Sequence, residues 1–253
     1  MEKSFEERIQ IFKDFIREHN KIVFLGGAGV STESGIPDFR SKDGLYNIKD
    51  VRFEKYQPEY LLSASCLEYE PIVFYEFYRQ KLDNRKIKPN ITHKYLSELE
   101  AQGKLTAVIT QNIDGLHQAA GSKNVFEIHG TMQKNHCDKC HKEYPSDYIF
   151  DNKEPIPRCG CGGMIRPDVV LYGETLPAAP WNNAMKALKD ADLLIIGGTS
   201  LTVHPANTLM QYYYGEDLVL INRDKTEYDG YANLVFRENL GDVFGRLSHA
   251  VRQ

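Results

Sequence analysis

The sequence contains no apolar run that approaches the roughly 20 residues needed to cross a bilayer. Residues 1–20 mix charged and apolar positions, and they lack both the basic n-region and the small-residue cleavage site of a signal peptide. We therefore expect no membrane partner and a cytoplasmic location.

The sequence also lacks an excess of positive charge. Its 31 Lys and Arg residues are outnumbered by 35 Asp and Glu, and the formal net charge is −4. Nucleic-acid binding depends on clustered Lys and Arg, which are scattered here, so no nucleic-acid partner is expected. Basic protein substrates are not excluded. Hydrophobic residues at 42% and charged residues at 26% are typical of a globular protein.

Short apolar segments alternate with segments of helical periodicity, and several of the apolar segments end in glycine. Strands are predicted over residues 21–26, 106–110, 125–128, 169–172, 192–196 and 218–221, and helices over 3–18, 69–82, 92–102 and 181–189. This alternation predicts an α/β fold with a Rossmann-like, doubly wound parallel sheet formed by residues 1–131 and 167–253. Residues 132–166 are polar and irregular, which indicates a small inserted module. A helical insertion around residues 45–90 is assigned to the same small lobe.

Four of the five cysteines lie in the inserted module: Cys137, Cys140, Cys159 and Cys161. Because nothing in the sequence indicates export, this clustering favours a metal over disulfides. The spacing resembles a zinc ribbon, in which four thiolates surround one structural Zn²⁺ and leave no position open for water. The second pair, Cys-x-Cys, departs from the commoner Cys-x-x-Cys, and His136 or His141 is the alternative ligand if Cys161 cannot reach. Cys66 is predicted to be a buried core thiol.

Residues 27–32, directly after the first predicted strand, read GAGVST. The two glycines allow backbone amides to approach a pyrophosphate near the start of a helix. The spacing is not G-x-G-x-x-G, so these residues alone are equally compatible with an ordinary tight turn. No acidic residue is evident at a strand end about 20 positions later, where dehydrogenases hold the ribose.

Longer strings around this loop resemble the sirtuin (Sir2) family of bacterial type. Residues 27–40 read GAGVSTESGIPDFR, residues 111–117 read QNIDGLH, residues 166–174 read RPDVVLYGE, and residues 198–201 read GTSL. His129-Gly130 follows a short predicted strand, and Ile221-Asn222 ends another. The motifs follow the order of the family and cover nearly the whole chain. The resemblance implies an NAD-dependent deacylase that acts on acylated lysines of protein substrates.

The resemblance also implies the chemistry. The acyl carbonyl oxygen attacks the sugar carbon of NAD, nicotinamide leaves, and the products are free lysine and O-acyl-ADP-ribose. His129 is implied as the base for a ribose hydroxyl, a task for which an imidazole with a pKa of about 6.5 is suited. Asn112 is implied to orient the ribose and a water, although it is also suited to cap the next helix. Asp114 and Ile113 are implied to contact the nicotinamide carboxamide.

The same resemblance implies the remaining contacts. Those to NAD are Ala28, Gly29, Thr32, Phe39, Arg40, Gln111, Thr199, Ser200, Asn222 and Asp242, the last of which is otherwise the start of a surface helix. Val170, Leu171 and Tyr172 are implied to pair with an extended substrate peptide by strand addition.

Family members that remove succinyl or malonyl groups carry a Tyr and, three residues later, an Arg. The matching positions here hold Tyr75 and Tyr78, and Arg79 lies about 100° further round a helix. Plain deacetylation is therefore favoured, and an aromatic pocket is also compatible with longer apolar acyl chains. ADP-ribosyl transfer to protein is the alternative function, against which His129 argues. A binding-only zinc module and an NAD-dependent dehydrogenase are disfavoured by the full motif set. A monomer is the favoured oligomeric state.

Overall fold

The computed structural model describes residues 3–38, 44 and 50–248. The helices in these ranges are α1 (Phe5–Glu18), α2 (Pro58–Leu61), α3 (Ala64–Tyr69), α4 (Pro71–Leu82), α5 (Ile91–Ala101), α6 (Leu116–Ala119), α7 (Asp147–Phe150), α8 (Ala178–Asp190) and α9 (Leu240–Ser248). The strands are β1 (Ile22–Gly26), β2 (Leu105–Thr110), β3 (Val125–Glu127), β4 (Gly130–Cys137), β5 (Glu143–Pro145), β6 (Ile165–Val169), β7 (Leu193–Gly197), β8 (Asp217–Ile221) and β9 (Leu234–Phe236). Short 3-10 helices cover Ala28–Val30, Thr32–Ser34 and Ala206–Tyr212.

Six strands form a parallel sheet in the order β3-β2-β1-β7-β8-β9. Every residue of β1 and β7 is buried, because helices cover both faces of the sheet. One face packs on residues of α1, α5 and α9, and the other packs on α8. This arrangement confirms the predicted Rossmann-like, doubly wound sheet. The strand order reverses between β1 and β7, which is where such sheets bind ligands.

Side-chain caps define the start of two helices that support the sheet. Ser4 accepts a hydrogen bond from the Glu7 amide at the start of α1, and the Glu7 carboxylate accepts one from the Ser4 amide in return. Asn90 caps α5 by accepting from the Thr92 amide, and its own Nδ2 donates to the Val30 carbonyl at 2.8 Å. The start of α5 is thereby tied to the loop that follows β1.

A second, antiparallel sheet has the order β5-β4-β6 and carries the cysteines. It shares one hydrophobic cluster with α3 and α4, in which Phe74 and Tyr78 lie with Met132 and Ile165. This shared cluster supports the proposed grouping of the helical insertion and the cysteine module in one small lobe. No helix in the described ranges has both the length and the apolar character that a membrane crossing requires.

The strand predicted over residues 169–172 is wrong in its position. Its first residue ends β6, which belongs to the small sheet, and Tyr172 makes only a single bridge to Ser63. Of this apolar run only Leu171 is buried, whereas Val169 and Val170 are half-buried and Tyr172 is exposed, so the run is not a core strand of the large sheet. Strands β4, β5 and β9 and helices α2, α3 and α7 were not predicted, whereas α9 begins close to Asp242, the alternative helix start.

Candidate active site

A cleft of about 590 Å³ lies at the carboxyl ends of the central strands, where the strand order reverses. Its volume is in the range of small-molecule and cofactor sites. The cleft collects most of the predicted site residues: Ala28, Gly29, Thr32, Gln111, Asn112, Ile113, His129, Val170, Leu171, Tyr172, Thr199, Ser200 and Asn222.

The loops that follow β1 and β7 touch each other backbone to backbone. The Gly29 amide donates to the Gly198 carbonyl at 2.9 Å, and Gly198 has a φ of +60°. A Cβ atom added to Gly29 would lie 2.7 Å from the Gly198 Cα. Glycine is therefore required at both positions, and the cleft floor here is bare backbone that a dinucleotide can approach closely.

His129 lies between β3 and β4, where it borders the cleft. Its Nδ1 is 2.9 Å from the Gln111 carbonyl oxygen. Because a carbonyl only accepts, Nδ1 carries the proton and Nε2 is the nitrogen left to take up another. Burial lowers the pKa of His129, and the hydrogen bond to Gln111 opposes that shift. The neutral ring near pH 7 is thus a base at Nε2.

Asn112 and Asp114 are joined through Ser31, a residue that the sequence analysis did not single out. The Asn112 Nδ2 donates to the Ser31 Oγ at 3.0 Å, and that hydroxyl donates to an Asp114 oxygen at 2.6 Å. The other Asp114 oxygen accepts from the Leu116 amide at 2.9 Å. Burial raises the pKa of Asp114, and these hydrogen bonds oppose the rise. Asn112 borders the cleft, whereas Asp114 lies behind it and holds the orientation of Ser31.

The four clustered cysteines meet the requirements of a zinc site. Their Sγ atoms lie within 4.8 Å of one another, with Cys137 to Cys161 at 3.5 Å and Cys140 to Cys159 at 3.6 Å. A tetrahedral zinc with Zn–S bonds of about 2.3 Å places its sulfurs about 3.8 Å apart. The cluster fits one zinc ion with all four thiolates. His136 is not needed as a ligand because it pairs with Asp168.

The model of the Sir2 family matches residues 27–205. The chain belongs to the Sir2 family. An NAD-dependent protein deacetylase from Clostridium tetani is 50% identical over 236 residues, which cover 93% of this chain and 95% of the relative. A Sir2 structure with a deacetylated p53 peptide and 3'-O-acetyl ADP ribose is 35% identical, with a TM-score of 0.86, and covers 96% of this chain and 98% of that chain. A Sir2 structure with a p53 peptide and NAD⁺ is also 35% identical, with a TM-score of 0.83 and the same coverage.

Other polar residues of the Sir2 cleft hold one another in place. Gln111 donates through Nε2 to the Thr199 hydroxyl at 3.0 Å, which ties the end of β2 to the end of β7. The Ser200 hydroxyl is 2.8 Å from that of Thr202, and Asn222 donates to the Asp224 carbonyl at 3.0 Å. Of these residues, Thr199, Ser200 and Asn222 line the cleft at the ends of β7 and β8.

Besides Asp114, three of the predicted NAD contacts are not placed in the Sir2 cleft. Phe39 and Arg40 lie outside the described residues. Asp242 is exposed in the first turn of α9, whereas the residues just before it, from Glu238 to Leu240, border the cleft. The implied role of Asp242 stays a prediction.

The small-lobe wall of the cleft includes two leucines that sequence reasoning missed, Leu62 and Leu82. They border the cleft together with Ile113 and Leu171. Leu62 lies just after α2 and Leu82 ends α4, so neither belongs to a motif and only the folded lobe brings them to the cleft. The predicted core thiol Cys66 is fully buried, and burial raises its pKa to about 11.

Proposed function

We propose that this Sir2 chain removes acetyl groups from lysine side chains of proteins with His129 as the base. The chain is an NAD-dependent protein deacetylase, and its products are nicotinamide, free lysine and O-acetyl-ADP-ribose. The curated relatives that carry the name NAD-dependent protein deacetylase match it over nearly their full length, which supports this activity. The single observation that carries the catalytic assignment is the hydrogen bond between His129 and the Gln111 carbonyl, which reserves Nε2 for proton uptake.

The residues present fit NAD, which supplies nicotinamide as the leaving group and ADP-ribose as the acceptor of the acetyl group. The bare backbone at Gly29 and Gly198 is suited to the pyrophosphate. Thr199, Ser200 and Asn222 offer hydroxyls and an amide to the adenosine half. Asn112, fixed by Ser31, orients the ribose next to His129.

His129 takes a proton from a ribose hydroxyl onto Nε2. The Gln111 carbonyl then stabilises the imidazolium through the Nδ1 proton, whereas burial disfavours the charged ring. The ring therefore holds the proton only weakly and returns it readily. Asp114 keeps Ser31, and through it Asn112, in place during this exchange.

The acyl group is accommodated by the apolar wall of Leu62, Leu82, Ile113 and Leu171, which also excludes water. Tyr78, at the position of the acid-recognising Arg, is fully buried and stacks on Phe74 and Phe150 with ring centroids at 5.7 and 5.4 Å. Arg79 donates to the Ile149 carbonyl at 2.9 Å. Tyr78 carries no positive charge, and the Arg79 guanidinium is already bonded to the Ile149 carbonyl. Neither side chain therefore offers a cation to a succinyl or malonyl carboxylate, which supports acetyl as the preferred group.

The zinc held by the four cysteines has a structural role in this proposal. None of the four borders the cleft, and β4 separates Cys137 from His129 by about 26 Å of strand. The cytoplasmic location and the monomeric state expected from the sequence stay predictions.

Peptide-dependent release of nicotinamide tests the proposed function. The protein is incubated with NAD and either an acetyl-lysine peptide or the same peptide with unmodified lysine, and nicotinamide is quantified. We expect release only with the acetylated peptide. Release with both peptides would favour ADP-ribosyl transfer, and release with neither would reject deacetylation.

A further inference from the structure

Residues 170–174, which we term the substrate loop, form the part of the cleft rim that follows β6. Three successive amides of this loop already have partners. Val170 donates to the His129 carbonyl at 2.9 Å, and Tyr172 donates to the Leu62 carbonyl at 3.0 Å. The Leu171 amide instead donates to a side chain, the Glu174 carboxylate, at 2.9 Å. The first half of the loop is thus fixed to the backbone of both lobes.

Residues 171–174 of the loop form a tight turn, whose two ends, Leu171 and Glu174, are joined by two hydrogen bonds. The Glu174 amide donates to the Leu171 carbonyl at 3.0 Å, while its carboxylate accepts from the Leu171 amide. Gly173 is the third residue of this turn and has a φ of +92°, the positive value that a type II turn requires there. Leu171 itself is buried, so it anchors one end of the turn independently of Glu174.

A partner outside the loop holds the Glu174 carboxylate. Arg166 donates from Nη2 to both Glu174 oxygens, at 2.8 and 3.0 Å. The two side chains are 24% and 25% exposed, so water only partly screens their interaction. Arg166 lies on β6, opposite His136 of β4, and therefore belongs to the rigid small sheet. Through this pair the small sheet determines where the turn at residues 171–174 stands beside the cleft.

We propose that Arg166 and Glu174 are positioning residues for the substrate peptide, which hold the turn of the substrate loop in its peptide-binding conformation. The inference rests on the proposed function. Without the pair, Leu171 stays anchored, but the turn beyond it gains conformational freedom that peptide binding must then remove. Because the Glu174 oxygens already accept from Arg166 and Leu171, loss of the pair should weaken peptide binding and spare the chemical step.

Steady-state kinetics at saturating NAD separate positioning from a general effect on stability. For Glu174→Ala and for Arg166→Ala we expect the KM for an acetyl-lysine peptide to rise about tenfold, which corresponds to the loss of one charge-assisted hydrogen bond. We expect kcat to stay within about twofold and the KM for NAD to be unchanged. Glu174→Gln keeps an oxygen for the Leu171 amide and should recover part of the loss. The double variant should be no worse than either single variant.

Arg85→Ala is the matched control. Arg85 is a small-lobe arginine, 27% exposed, that contacts Asp83 and Asp151 and does not border the cleft. Its removal should leave the peptide KM unchanged. Unchanged peptide KM in Glu174→Ala, or an equal rise in Arg85→Ala, would overturn the inference. If Glu174→Ala does not fold, Arg166→Lys decides, since it keeps the charge but loses the paired contact. A wild-type protein without peptide-dependent turnover would instead refute the proposed function.

Discussion

The Nδ1 atom of His129 lies 2.9 Å from the carbonyl oxygen of Gln111, at the point where β2 has just ended. This bond fixes the tautomer of the ring and also its orientation at the cleft. Gln111 in turn reaches Thr199 on the other side of the strand-order reversal. His129 and the two loops that form the cleft floor are therefore one connected unit.

The activity should depend on the protonation of His129. Because burial lowers its pKa below the ordinary value near 6.5, the ring is neutral and active above that lowered pKa and loses activity as the pH falls through it. We expect kcat/KM to be level near pH 7 and to fall with a midpoint below about 6.5. A pH–rate profile with its acid limb centred well above pH 7 would contradict this assignment.

Ser31→Ala should lower kcat because it removes the group that orients Asn112. The loss of one buried hydrogen-bonded link predicts about a tenfold decrease. Asp114 also loses its Ser31 partner, so the free energy of unfolding should fall by about 1–3 kcal/mol. Ser122→Ala is a suitable control, since this buried hydroxyl has no hydrogen-bond partner among the described residues and does not border the cleft. Equal kcat values for the two variants would rule out the orienting role.

The free energy of unfolding should decrease in acid because of two buried imidazoles, one in α5 and one in α6. His93 and His117 lie with ring centroids 4.7 Å apart, and burial lowers their pKa values to about 4 and about 3. Unfolded histidines take up protons below about pH 6.5, so stability is complete above that pH and is lost as the pH falls towards 4 and 3. Proton uptake by the two groups together allows the free energy of unfolding to fall by up to about 2.7 kcal/mol per pH unit.

Urea unfolding of the wild type and of His117→Gln between pH 7 and pH 4 measures this slope. The variant should show about half of it, because one of the two proton uptakes is gone. His204→Gln, which changes an exposed histidine outside this pair, is the control. A wild-type free energy of unfolding that is constant over this range would contradict the prediction.

Cys137→Ala should abolish zinc binding and lower the melting temperature, because metal binding and folding of the small sheet are coupled. Cys66→Ala removes another fully buried thiol but should keep one zinc per chain. Metal content and thermal unfolding of both variants check the prediction. Full zinc content and an unchanged melting temperature in Cys137→Ala would show that the thiols do not hold the ion.

The large sheet was predictable because each of its buried strands carries its own signal. Strands such as β1 and β7 are short apolar runs that end in glycine, and their burial on both faces follows from that composition. The small sheet carries no such signal. Strands β4 and β6 are polar in part and pair across about 30 residues of chain, so local pattern assigned Val169 to the wrong sheet.

The site likewise contains residues that a sequence motif identifies and residues that only the folded structure brings to it. Motif and spacing singled out His129 and the four cysteines, and the fold brings His129 to the cleft and the four Sγ atoms to one place. Ser31 and Glu174 act through partners that are distant in sequence or that a turn brings near, and nothing in their local pattern indicates those partners. For Asp114, the implied contact with the nicotinamide carboxamide stays a prediction, and the fold adds a hydrogen bond from Ser31 that the motif did not indicate.

The central claim is that the chain couples cleavage of NAD to removal of an acetyl group, with His129 as the base. The most direct test is to quantify nicotinamide, deacetylated peptide and O-acetyl-ADP-ribose in one reaction, for the wild type and for a folded, zinc-containing His129→Ala variant. We predict equal amounts of the three products from the wild type and a rate lower by about 10²–10⁴ in the variant. Nicotinamide release that leaves the peptide acetylated, or wild-type rates in the variant, would contradict the claim.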